Sequence, residues 1–168
     1  MRAVVAAVLV AAALLAGCGG GSDEPKIVSK DLYIAEADNV CASLSERFNS
    51  AGAADPQTPR QIVDSAKVLS DLYGDLLKGL RDVKLPARPA DRRGAAAYVG
   101  AVAHTSSLLV QVRSSANAFL AAVAVKDAAK LTQTGNDVRQ ALDDFRAAQA
   151  GANARAVAYG FNLCGNLH

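Results

Sequence analysis

The side chains in this 168-residue chain best suited to covalent or acid–base chemistry are Cys18, Cys41, Cys164, His104, His168 and the glutamates Glu24, Glu36 and Glu46. The cysteines form no CxxC pair, and the two histidines are scattered, so ligand spacing for a metal is missing. His104 opens the run His104-Thr105-Ser106-Ser107, which brings a base and hydroxyl nucleophiles close in sequence. Nucleophilic catalysis also needs an orienting group and an oxyanion hole. Neighbouring helical residues point to different faces, so this run cannot form a triad by itself and reads as a polar flank. His168 is the C-terminal residue. A di-iron bundle needs Glu-x-x-His on two helices, and no glutamate here precedes a histidine at that spacing. A haem site would need Cys-x-x-Cys-His or a His/Met pair, and the sole methionine is Met1. There is no phosphate loop and no dinucleotide fingerprint. The expectation is no catalytic residue, no cofactor and no metal, hence not an enzyme.

Cys18 has a different chemistry in prospect. Met1 and Arg2 give a short positive start, and residues Ala3 to Ala16 are all Ala, Val or Leu. Fourteen apolar residues are too few for the ~20-residue helix that spans a bilayer, but they match the apolar region of a signal peptide. The run ends in Leu15-Ala16-Gly17-Cys18, which resembles the bacterial lipobox. That resemblance implies cleavage before Cys18 and attachment of diacylglycerol to its thiol. A plain secretory signal or an N-terminal core helix are the other readings. Gly19-Gly20-Gly21-Ser22-Asp23-Glu24-Pro25 reads as a flexible tether. The expected organisation is a signal peptide over 1–17, a lipidated tether over 18–29 and a folded unit over 30–168. No later stretch holds 18 uninterrupted apolar residues, so the chain is expected to be anchored to a membrane without spanning it. The expected location is the outer face of the bacterial cell membrane.

Export places the chain where cysteines tend to pair. With Cys18 lipidated, Cys41 and Cys164 remain, and a disulfide between them is expected. A net charge of +2 and the lack of a basic stripe with interleaved aromatics argue against a nucleic-acid partner.

Four helices would position these cysteines. The chain has 36 alanines but only eight aromatic residues, a mix that suits close-packed helices better than a β-sandwich. A first helix over about 31–50 carries Ile34, Ala37, Cys41, Leu44 and Phe48 on one face. Thr58-Pro59-Arg60-Gln61 is a capping box with Pro at the first helical position. It opens a second helix whose seam is Ile62, Ala66, Leu69, Tyr73, Leu76, Leu80 and Val83, ending before Pro86. A third helix, from near Ala90 to Val125, uses Tyr98, Val102, Thr105, Leu109, Val112, Ala116, Phe119 and Val123. A turn at Lys126-Asp127 leads into a fourth helix ending at Tyr159-Gly160; a turn at Thr134-Gly135-Asn136-Asp137 is the alternative. The predicted fold is all-α, an antiparallel four-helix bundle with helices one and four as neighbours and one disulfide.

The ending Ala156-Val157-Ala158-Tyr159-Gly160-Phe161-Asn162-Leu163-Cys164-Gly165, the lipobox and Asp38-Asn39-Val40-Cys41 are similar to segments of small, Ala-rich actinobacterial lipoproteins. The resemblance implies the architecture and the helix-one to tail pairing of cysteines, and it carries no activity. Two functions fit the chain. One is a non-catalytic envelope lipoprotein that binds another macromolecule or has a structural role. The other is a carrier of a small apolar ligand, for which Ala95-Ala96-Ala97, Ala121-Ala122 and Ala147-Ala148 would wall a cavity.

Overall fold

A computed structural model describes residues 27–52 and 56–167. The signal peptide, Cys18, the tether up to residue 26 and His168 lie outside the described residues. The elements are α1 (Lys30–Gly52), α2 (Pro59–Asp82), α3 (Pro89–Val125), α4 (Ala128–Tyr159) and a final 3-10 turn, η1 (Cys164–Asn166). No strand occurs among the described residues. Consecutive helices pack against one another and are joined by short connections, giving an antiparallel four-helix bundle.

The helix ends follow from local chemistry. Thr58 Oγ1 accepts from the Gln61 N–H at 3.3 Å, while Gln61 Oε1 accepts from the Thr58 N–H at 3.0 Å. Each of these bonds satisfies a donor that the helix start would otherwise leave unpaired. The turn between α3 and α4 is at Lys126, as the Asp127 register predicts. Lys126 adopts a left-handed conformation (φ 54°), and Asp127 Oδ1 accepts from the Lys130 N–H at 3.0 Å. Gly135 therefore lies inside α4, where it makes room for the ring of Phe119. Gly160 ends α4 at φ 108°, a conformation that suits glycine.

The seams largely hold. Ala66, Tyr73, Leu76 and Leu80 of α2 are buried on the side that packs on α3, whose Tyr98, Val102, Thr105, Leu109, Val112 and Ala116 are buried too, and Tyr73 meets the Phe145 ring of α4 at 6.3 Å. Two positions differ from the sequence pattern. On α1 it is Tyr33, with Ala37, Cys41, Leu44 and Phe48, that is fully buried, while Ile34 is half-buried on the flank. On α3 the seam stops short, because Val123 is 47% exposed. α2 begins at Pro59, beside Phe119, Gly135 and Val138, so the last turns of α3 and the first of α4 project past it with nothing opposite among the described residues. α1 packs along α2 and on η1; of α4 it meets the end, where the Tyr33 and Tyr159 rings stand edge to face, so helices one and four touch there through the tail and do not pack along their length as the predicted order had it. α3 is long and apolar enough to cross a membrane by length and composition, but here its Tyr98-to-Ala116 row is the core of the bundle.

Candidate functional site

The most constructed site in the molecule is where the chain's two ends meet. Residues three and four apart share a helix face, so Asp38 and Cys41 of α1 both face the tail that follows α4. The Cys41–Cys164 disulfide is present, with Cα atoms 5.2 Å apart across 123 residues of sequence. Beside it the buried Asp38 carboxylate accepts three backbone N–H groups. Oδ2 takes that of Asn162 at 2.9 Å, and Oδ1 takes those of Leu163 at 3.0 Å and Cys164 at 3.2 Å. A carboxylate holding successive backbone donors in this way makes charge-assisted bonds, roughly twice as strong as neutral ones. The tail is thus fixed by one covalent bond and one anion.

Around this clamp lies an aromatic cluster. Phe161 packs on Tyr98, Tyr159 and Tyr33 with ring centroids 4.9, 5.0 and 6.0 Å away. Tyr159 donates its hydroxyl to the Asp91 carbonyl at 3.0 Å, joining the end of α4 to the start of α3. Gly94 permits this: a Cβ there would lie 2.6 Å from the Tyr159 ring. Burial pushes the Tyr159 hydroxyl up to about 12, helped by Tyr33 and Asp91. Burial also raises Tyr73 to about 12, opposed by a hydrogen bond with Gln149. Tyr98 is raised as well, first by burial and then by Tyr73, Tyr33 and Asp38. These phenols stay protonated at neutral pH, so they serve as packing and hydrogen-bonding groups rather than as bases. The buried Tyr33 hydroxyl, also raised by burial, has no hydrogen-bond partner.

Beyond the clamp an apolar cleft of about 280 Å³ opens between the helices near the end of α1. Its walls are Ile62 and Leu69 of α2, Leu109 and Val112 of α3, and Leu142 and Phe145 of α4, with Arg146 and Gln149 also lining it. Arg146 is engaged at the surface with Asp143 at 3.3 Å. The cleft is just below the ~300–1,000 Å³ of typical small-molecule sites. His104 is exposed in a shallow groove between α3 and α4, lined by Ala97, Ala101, Ala148, Gly151, Ala152 and Arg155. Ser107 directs its hydroxyl to the His104 carbonyl at 2.7 Å, which is a local helix contact and not a nucleophile–base pair.

Of the residues singled out by sequence, Cys41 and Cys164 come together, whereas Cys18 and His168 lie outside the described residues. No group of three or more His, Cys, Asp or Glu side chains that could hold a metal occurs among the described residues. The role of Asp38 is one that sequence reasoning did not assign. Its signal was an acidic residue on the apolar face, next to Ala37 and one turn before Cys41. Arg146 and Gln149 gave no such signal, because both look like ordinary residues of a solvated helix flank. Comparison of the chain with family models, curated proteins and solved structures finds no match.

Proposed function

We propose that the protein is a non-catalytic lipoprotein of the bacterial cell envelope. In this reading Cys18 carries the lipid that holds it on the outer face of the membrane, and the bundle binds another envelope macromolecule. The lipobox at Leu15-Ala16-Gly17-Cys18 supports the anchor, and the resemblance to Ala-rich actinobacterial lipoproteins agrees with it. The Cys41–Cys164 disulfide supports an oxidising compartment.

The observation that carries partner binding is the projecting tip of the α3–α4 hairpin. Val123 and Val125 are 47% and 66% exposed there, and Ala121, Ala124, Ala128 and Ala129 are exposed in the same turns. Exposed apolar residues gathered at one place cost solubility unless something covers them. The tip is the far end of α3 from Val28, whose carbonyl accepts from Ala87 beside the start of that helix. An N-terminal anchor would therefore leave the tip directed away from the membrane.

Two measurements test this reading. Cys18→Ala should lose both the acyl mass and retention in the membrane fraction; a variant that keeps them overturns the anchor. A photoreactive residue at position 123 should give one discrete cross-linked species in intact cells, abolished by Val125→Glu. Diffuse labelling unaffected by Val125→Glu overturns docking at the tip.

The cleft favours the second reading, a carrier of a small apolar ligand. Leu142→Trp would fill it. If an organic extract of the native protein yields a single apolar compound that this variant lacks, the carrier reading replaces the first.

A further inference from the structure

We propose that the end of the bundle formed by the start of α1 and the α2–α3 connection rests on an anionic phospholipid surface. This rests on the lipid-anchor reading above and adds an orientation and a lipid preference to it.

The observations are the place where the chain enters, the charge and the exposed apolar groups. Ile27 is nine residues after Cys18. A fully extended chain of that length spans at most about 30 Å, so the entry point cannot lie far from the bilayer. The entry point is fixed to one end of the bundle. The Val28 carbonyl accepts from the Ala87 N–H at 3.0 Å, which lays the entering chain against the α2–α3 connection.

That connection is the basic part of the molecule. Residues 81–93 hold five basic side chains (Arg81, Lys84, Arg88, Arg92 and Arg93) against two acidic ones (Asp82 and Asp91). Arg92 is used within the fold, donating to the Pro86 and Ala87 carbonyls at 3.2 and 3.3 Å and so shaping the turn. Asp91 is largely tucked in, 3.8 Å from Arg88. Lys84, Arg88 and Arg93 are exposed, and Arg88 remains so despite its carboxylate neighbour. Asp31 and Asp82 are also exposed at this end, so the surface is basic by excess and not by exclusion.

Ile27 and Leu85 stand among these charges, 78% and 46% exposed. Large apolar side chains ringed by Lys and Arg suit an interface in which the apolar groups enter the headgroup layer and the cations meet phosphate. The opposite end carries fewer cations: there Lys126 is exposed, Lys130 is paired with Asp127 at 3.3 Å, and the exposed apolar residues are the valines of the hairpin tip. α3 carries the tip about 55 Å from its own start.

The test uses the full protein purified from its membranes and reconstituted into vesicles of mixed neutral and anionic phospholipid. A photoreactive residue is placed at Leu85 in one sample and at Val123 in another. Lipid adducts should form about tenfold more at position 85, because attraction to the surface decays within a Debye length. Lys84→Glu with Arg88→Glu should lower the yield at 85 at least about fivefold, the factor that one basic residue near an anionic surface supplies. Lys130→Glu, at the other end, should leave it unchanged. Equal yields at 85 and 123, or a yield at 85 indifferent to the charge reversals, overturns the proposal. The mass of the N-terminal peptide from the same samples reports on Cys18 separately. An unacylated peptide with adducts still at 85 sinks the anchor and keeps the surface.

Discussion

The two ends of this bundle are built from the same alanine-rich helices but are held by different means. At the entry end every element is tied to another. α1 is bonded to the tail by Cys41–Cys164 and by the three N–H groups on Asp38. α4 is bonded to α3 by Tyr159 on the Asp91 carbonyl, and the entering chain to the α2–α3 connection. At the far end, among the described residues, α3 and α4 have only each other, and Val123 of their seam is 47% exposed. Alanine lets helices approach closely but buries little area, so the ends of such helices need specific cross-links or remain bare. Cohesion here is local and concentrated at the end that also receives the chain.

Breaking the covalent tie gives the largest expected effect. Replacing both Cys41 and Cys164 by Ser frees a loop of more than 120 residues, for which chain entropy alone gives about 4–5 kcal/mol. Urea melts of the oxidised protein and the double variant measure it. A loss below ~1 kcal/mol would show that Asp38 and the aromatic cluster hold the tail without the bridge.

Asp38→Ala is next. It leaves three tail donors unpaired, one of them buried. The penalty for one unmet buried donor is ~1–3 kcal/mol, so a total of about 3 kcal/mol is expected, with the disulfide intact. Amide exchange of Asn162, Leu163 and Cys164 should accelerate while that of α2 is less affected. Unchanged protection in the tail would mean that the carboxylate is incidental to it.

The seams supply a matched pair. Leu76→Ala removes a fully buried side chain and should cost about 2–5 kcal/mol. Val123→Ala, on the same kind of apolar repeat but past the start of α2, should cost no more than about 0.5 kcal/mol. Equal losses would mean that the tip is covered in the free protein.

How much of this was legible in the sequence follows the same division. Periodic patterns fix helices and seams because burial acts on every third or fourth residue, and the α2 capping box and the Asp127 cap could be read directly. The cysteine pairing followed from the expected export and the count of cysteines. Where a seam ends depends on the length of the partner helix across the bundle, which no local pattern contains, so Val123 was expected inside. The choice of Tyr33 over Ile34 was settled by the tail, since Phe161 offers a ring for Tyr33 to pack on. Asp38 was visible only as part of a motif, because its partners lie 124 to 126 residues away.

The buried tyrosines give a pH signature to the entry end and the middle of the bundle. Tyr73 and Tyr159 titrate near 12 in the folded protein and near the ordinary 10 when unfolded. The folded state therefore holds its phenolic protons more tightly. Stability should be flat from neutral pH to about 10, then fall by up to about 1.4 kcal/mol per pH unit for Tyr73, and by less for the better-solvated Tyr159, up to about 12. Urea midpoints measured between pH 8 and 11.5 check the sign; a rise above pH 10 would contradict burial of these hydroxyls.

Tyr33 offers an effect of opposite sign. Its side chain is wholly buried among Tyr159 and Phe161, yet its hydroxyl has no partner. In the unfolded chain that hydroxyl bonds to water, so folding forfeits a hydrogen bond and returns none. Tyr33→Phe keeps the ring and its edge contacts and removes only the group that loses its solvent. The variant should be more stable by about 1 kcal/mol, the lower part of the cost of an unmet buried polar group. Tyr159→Phe should move the other way by a similar amount, because it deletes a hydroxyl that donates to the Asp91 carbonyl. The two changes are chemically identical and affect neighbouring rings, so differences in ring packing largely cancel between them. If both variants lose stability, the Tyr33 hydroxyl has a partner in solution, and an internal water is the group small enough to fill that role.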